Sequence, residues 1–202
     1  GLGTWLAFVA LTVDVWDRTH SGNWVAALLI ADFLPAIALG LTVGPLIDRF
    51  SRRRVMVAAD IVRFVVFCAL PFANSPGQLV ALAAVAGCAT GFFRPAVYAG
   101  LPNLVKDDDL TEANSLFASV ENLAWMIGPV VGGLMLTVWG PSLPYGVNAL
   151  TFLVSAGLVA SSLLGIFATG GPEILGINAL SVIGFLVSGI LGVCLPAASV
   201  AA

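Results

Sequence analysis

Apolar runs of membrane-crossing length recur along this chain at residues 24–47, 55–72, 78–101, 113–139, 143–167 and 174–200, with short polar or turn-forming segments between them. A helix needs about 20 apolar residues to cross the hydrocarbon layer of a bilayer. In that layer no water satisfies the backbone, so only helices and closed barrels can span it. Barrel strands would show stretches of about ten residues of alternating polarity. Here both faces of each run are apolar, which selects helices. Composition agrees: hydrophobic residues make up 59% of the 202 and charged residues 9%, against about 25% charged in a soluble domain. The expected fold is an all-α, polytopic transmembrane helical bundle. Residues 1–13 are apolar but shorter than a span and lack a basic leading region, so they read as the end of a truncated first helix, not a signal peptide. Residues 14–23 then form the first loop.

Orientation comes from the loop Gly44-Pro-Leu-Ile-Asp-Arg-Phe-Ser-Arg-Arg-Arg54, which holds Arg49, Arg52, Arg53 and Arg54. Cytoplasmic loops carry the excess of Lys and Arg, which places this loop inside. Counting spans puts the uncharged segments 74–77 and 140–144 outside and the loop 103–111, with Lys106, inside. The first loop, with Asp14, Asp17, Arg18 and His20, is outside.

The residues that usually carry chemistry are sparse. Cys68, Cys88 and Cys194 lie in three different apolar runs without metal-ligand spacing, and His20 is the only histidine. Asp107, Asp108 and Asp109 precede an apolar run, and Asp109 stands three residues before Glu112. That is the spacing of a helix capping box, with acids favoured at the positive end of the helix dipole. No nucleophile–base set, phosphate-binding glycine loop or basic patch with interleaved aromatics occurs. An enzyme, a cofactor, a metal site and a nucleic-acid partner therefore find no support.

Ionisable residues inside the spans are more informative, because charge in a membrane is costly and faces a protein interior or a water-filled path. Asp32 has no basic residue near it in sequence. It reads either as a proton or cation carrier or as a carboxyl bonded to a neighbouring helix. Asp60 and Arg63 are three apart and share a helix face, as a structural ion pair or a substrate contact. Arg94 stands beside the helix-breaking Pro95, with Asp48, Asp60 and Glu121 as candidate partners. The fifth run holds Glu121 and then Gly128-Pro-Val-Val-Gly-Gly133, with Ala124, Gly128 and Gly132 four apart. Such a small-residue stripe lets another helix approach closely, and Pro129 should bend the helix.

Taken together, these motifs resemble the major facilitator superfamily of secondary transporters. Gly44, Asp48, Arg49, Arg52 and Arg53 match its signature between helices two and three. Gly128, Pro129, Gly132 and Gly133 match the helix-five signature of its drug/proton antiporter branches. Asp32-Phe-Leu-Pro35, Ala59-Asp-Ile-Val-Arg63, Phe93-Arg-Pro-Ala96 and Ala113-Asn-Ser-Leu116 are similar to the siderophore and macrolide exporters.

The resemblance implies the amino-terminal six-helix half of a twelve-helix carrier, embedded in a bacterial plasma membrane. It implies efflux of a small molecule by alternating access, with protons as a coupling ion. It assigns Asp48, Arg49, Arg52 and Arg53 to a cytoplasmic latch against the carboxy-terminal half, and the Gly128 element to a bend and interface. Ser51 departs from the family's usual Gly, residues 78–90 lack the helix-four Arg of many antiporters, and no Lys or Arg follows Lys106. Residues 1–167 are thus expected to form the amino-terminal bundle, and 168–202 an additional apolar helix. Gly146-Val-Asn-Ala-Leu-Thr151 and Gly176-Ile-Asn-Ala-Leu-Ser181 recur 30 residues apart, as an internal repeat or a chance match of common residues. A bundle that binds or regulates without transporting, and a fragment inactive on its own, are the competing readings.

Overall fold

The computed structural model describes residues 1–43, 51–100 and 110–169; side chains at 52–53, 99–100, 110, 112–113 and 161–169 lie outside that description. The helices are α1 (Leu2–Thr19), α2 (Gly22–Thr42), α3 (Arg52–Ala69), α4 (Pro76–Gly100), α5 (Leu110–Trp139) and α6 (Ser142–Thr169), with a 3-10 turn at Leu70–Phe72 after α3. No strand occurs among the described residues. Among the described residues, five helices are long and apolar enough to cross a membrane; α1 differs by holding Asp14, Asp17 and Arg18 near its end.

The first helix corrects the reading of the amino terminus. Residues 14–19 are helical, not a loop, and α1 is 18 residues long, or about 27 Å at 1.5 Å per residue. Asp14 and Arg18 are tolerated there because they pair with each other. Arg18 Nε donates to Asp14 Oδ1 at 2.7 Å, one helical turn away, and Arg18 Nη1 donates to the Ala73 carbonyl at 2.6 Å. From α6 the buried Tyr145 hydroxyl donates to Asp14 Oδ2 at 3.0 Å. These bonds tie α1, the turn after α3 and α6 together.

Two other boundaries move by a few residues. Helix α2 stops at Thr42, before Ile47, and the turn between α5 and α6 ends at Pro141, so that Pro144 lies within α6. Gly140 adopts φ +70° there, a left-handed conformation that costs glycine little and lets the chain reverse after α5.

Helix α2 packs along α4, α3 lies between α4 and α6, and α1 rests on α5 and α6. One apolar cluster joins Ala10, Leu28, Phe67, Leu79, Tyr145 and Phe152. A second joins Val43, Met56, Val97, Phe117 and Val159 from the other ends of the helices. The outward faces stay apolar. In α2 only Leu28 is buried, while Ile30, Leu34, Ile37 and Leu41 are exposed, as suits a helix bordered by lipid or by another bundle. Gly44, Asp48, Arg49, Lys106, Asp107, Asp108, Asp109 and the apolar segment 170–202, including Cys194 and the second repeat copy, lie outside the described residues.

Candidate functional site

Glycines set the helix spacing around the interior. A Cβ at Gly132 would fall 2.5 Å from the Leu6 carbonyl oxygen, and one at Gly128 would fall 2.6 Å from Trp5 Cβ. Helices α5 and α1 thus meet backbone to backbone along the stripe that also contains the buried Ala124. Gly133 meets nothing within 4 Å. A second stripe, on α4, was not drawn out from the sequence. A Cβ at Gly87 would fall 2.2 Å from the Asp32 carbonyl oxygen, and one at Gly91 would fall 2.8 Å from Leu39 Cβ. Ala83, Gly87 and Gly91 repeat every four residues, so the signal was present. This stripe holds the Asp32 segment of α2 against α4.

Within the bundle is a cavity of about 890 Å³, to which all six helices contribute. Asp32, Asp60, Arg63, Arg94 and Glu121 all line it, from four different helices. Their surroundings divide them into three kinds.

The first is a closed network between α3, α4 and α6. Asp60 and Arg63 form an ion pair, with Arg63 Nη2 donating to Asp60 Oδ1. Ser155 Oγ donates to Asp60 Oδ2 at 2.6 Å. Arg63 also donates to the Ala59 carbonyl through Nε. Its guanidinium carbon lies 4.1 Å from the Phe93 ring centroid and 4.4 Å from that of Phe152. Cation–π contacts of this kind gain strength when desolvated. Asp60 is 1% exposed and Arg63 6% exposed, so both charges are enclosed by the partners they need.

The second is an open ion pair between α4 and α5. Arg94 Nη2 donates to Glu121 Oε2 at 2.9 Å. Of the two described partners weighed for Arg94, Asp60 and Glu121, it reaches Glu121, while Asp48 lies outside the described residues. Both side chains keep substantial exposure. Pro95 follows Arg94 inside α4 and Pro129 lies inside α5, so each helix of the pair contains a break in its hydrogen-bond ladder.

Asp32 is the third kind. It is half-buried, and its carboxyl has no hydrogen-bond or ionic partner among the described residues. Beside it begins a row of aromatic rings that sequence reasoning did not identify. Phe33 meets Phe8 at 5.8 Å between centroids, Phe8 meets Trp5 at 5.8 Å and Trp5 meets Trp125 at 6.3 Å. All three contacts are edge-to-face, the favoured geometry for the ring quadrupoles. Trp5 and Phe8 are three apart on α1, but no spacing in the chain links them to Phe33 on α2 or Trp125 on α5.

A multi-helix membrane bundle with its charged side chains turned onto one central cavity has the organisation of a polytopic transport protein. The family model for the Major Facilitator Superfamily matches residues 1–164. The chain belongs to that superfamily and is an integral membrane protein of a transporter family, not an enzyme family. It is 29% identical over 156 residues to YfiS, described as an uncharacterized MFS-type transporter of Bacillus subtilis (strain 168), a match covering 77% of this chain and 37% of that protein. It is 29% identical over 189 residues to the multidrug efflux pump Tap of Mycolicibacterium fortuitum, covering 86% of this chain and 44% of that protein. It is 24% identical over 157 residues to macrolide efflux protein A of Streptococcus pyogenes, covering 75% of this chain and 39% of that protein. The chain thus spans less than half the length of these relatives. No solved structure matches it significantly.

Proposed function

We propose that this segment is the amino-terminal half of a secondary active exporter that moves a small molecule out of a bacterial cell by alternating access. The observation that carries the reading is the convergence of Asp32, Asp60, Arg63, Arg94 and Glu121, from four helices, on one cavity. A bundle that merely sat in the membrane would have little reason to retain such residues at its centre. Efflux is the activity in the printed names of Tap and macrolide efflux protein A, and it is extended to this chain here.

In this reading residues 1–167 rock against a carboxy-terminal half, with 168–202 a separate apolar segment. The loop from Asp48 to Arg54 lies on the cytoplasmic side. Gly44, Asp48, Arg49, Arg52 and Arg53 latch it to the opposing half. The tight α1–α5 seam at Gly128 and Gly132, with Pro129 and Gly133 beside it, lets α5 bend as the halves move. Protons are the coupling ion, with Asp32 and Glu121 as the carboxylates open to the cavity.

The test is transport by the complete protein in sealed vesicles under an imposed pH gradient, with a panel of macrolides, dyes and siderophores. The expected result is gradient-dependent movement of at least one compound, abolished by a protonophore. Movement that ignores the gradient would remove proton coupling. No movement of any compound under a gradient of either sign would overturn the exporter reading.

A further inference from the structure

The side-chain charges around the cavity do not cancel. Its walls carry three carboxylates, Asp32, Asp60 and Glu121, and two arginines, Arg63 and Arg94. Asp60 is committed to Arg63 and Ser155, and Glu121 to Arg94. Asp32 remains with no partner among the described residues, and the lining side chains are left with one uncompensated negative charge. The aromatic row Phe33–Phe8–Trp5–Trp125 starts at the residue next to that carboxylate and runs across α1 to α5. All four rings line the same cavity.

From this juxtaposition we infer that the cavity binds a monovalent organic cation with an aromatic or otherwise bulky apolar body, with Asp32 as its counter-ion. The inference rests on the transport reading for its biological sense and names the substrate class of that same site. A carboxylate in a region of low dielectric attracts a cation more strongly than it would in water. Ring faces add attraction for a cation and apolar area for the body. An anionic ligand would meet the unpaired carboxylate with no free guanidinium among the cavity's arginines to offset it. A volume of about 890 Å³ lies within the range of about 300–1,000 Å³ usual for small-molecule pockets. The close approach of Gly87 to the Asp32 backbone fixes the helix segment that carries the carboxylate beside the cavity.

The probe is tetraphenylphosphonium, a permanent aromatic cation, set against triphenylphosphine oxide, a neutral molecule with similar rings. Binding of radiolabelled tetraphenylphosphonium to the complete purified protein is measured in detergent, with the oxide as competitor. The wild-type protein should bind the cation and be displaced by the oxide only at concentrations at least about tenfold higher. Asp32→Asn should weaken cation binding about tenfold or more, as expected for losing a charged partner. Asp32→Glu should retain the preference for the cation, and Trp125→Leu should weaken binding about threefold. The wild-type comparison of the two probes stands even if a variant fails to fold. Equal binding of the two probes, or unchanged cation affinity in folded Asp32→Asn, would overturn the inference. Vesicle transport separates the two readings. Cation binding without transport of any compound leaves the site standing and sinks the exporter. Transport of neutral or anionic compounds alone, unaffected by Asp32→Asn, leaves the exporter standing and sinks the cation site.

Discussion

Asp60 and Asp32 are both carboxylates on cavity-lining helices, and their surroundings are opposite. Asp60 is 1% exposed, receives bonds from Arg63 and Ser155, and sits where α3 packs on α4 and α6. Asp32 faces the cavity from a helix with one buried residue, and no partner among the described residues holds its carboxyl. Rings follow the same division. Phe93 and Phe152 enclose Arg63, whereas Phe33, Phe8, Trp5 and Trp125 line the cavity as a row. An intramembrane charge is therefore not in itself a sign of a binding site. The wall at α3 and α6 uses its charges to hold helices together, and the wall at α1, α2 and α5 carries Asp32 with no partner among the described residues.

The largest effect should come from breaking the closed wall. Arg63→Ala leaves Asp60 buried with Ser155 as its remaining partner, a change expected to cost about 3–5 kcal/mol. Thermal unfolding of the purified protein would show it as a large fall in midpoint. Asp32→Asn in the same assay should stay within about 0.5 kcal/mol. If the two variants fell by similar amounts, the contrast between the walls would be lost.

Next is the glycine that positions Asp32. Gly87→Val pushes a side chain into the α2 backbone, and overpacking of this kind costs about 1–3 kcal/mol. It should also weaken tetraphenylphosphonium binding, by displacing the carboxylate. Loss of stability with normal binding would mean that Gly87 packs helices without shaping the site. Tyr145→Phe removes one bond to Asp14 and leaves the Arg18 pair intact, so its expected cost is about 1–2 kcal/mol. The open pair should contribute less. Glu121→Gln should change stability by no more than about 1 kcal/mol, because both partners keep substantial exposure. A larger loss would place Glu121 with the structural charges.

The helices themselves were legible because apolar length is a property of contiguous residues. The end of α1 was not. Asp14, Asp17 and Arg18 read as loop polarity, and the partner that buries Asp14, Tyr145, lies 131 residues away. Likewise, spacing three apart put Asp60 and Arg63 on one face, but Ser155 and the two rings that complete their network come from other helices. The stripe at Ala124, Gly128 and Gly132 could be read because it is local, and Gly87 with Gly91 could have been read by the same rule. The aromatic row could not, since Phe33 and Trp125 join the α1 pair Trp5 and Phe8 only when α1, α2 and α5 pack.

The central division is between a carboxylate open to the cavity and one closed into the helix packing. Single cysteines in a background with Cys68, Cys88 and Cys194 replaced test it directly, by their rate of reaction with a water-soluble methanethiosulfonate reagent in the complete protein. Asp32→Cys should react readily, while Ser155→Cys, at the Asp60 network and 3% exposed, should react far more slowly. An inert Asp32→Cys, or equal rates at the two positions, would contradict the account.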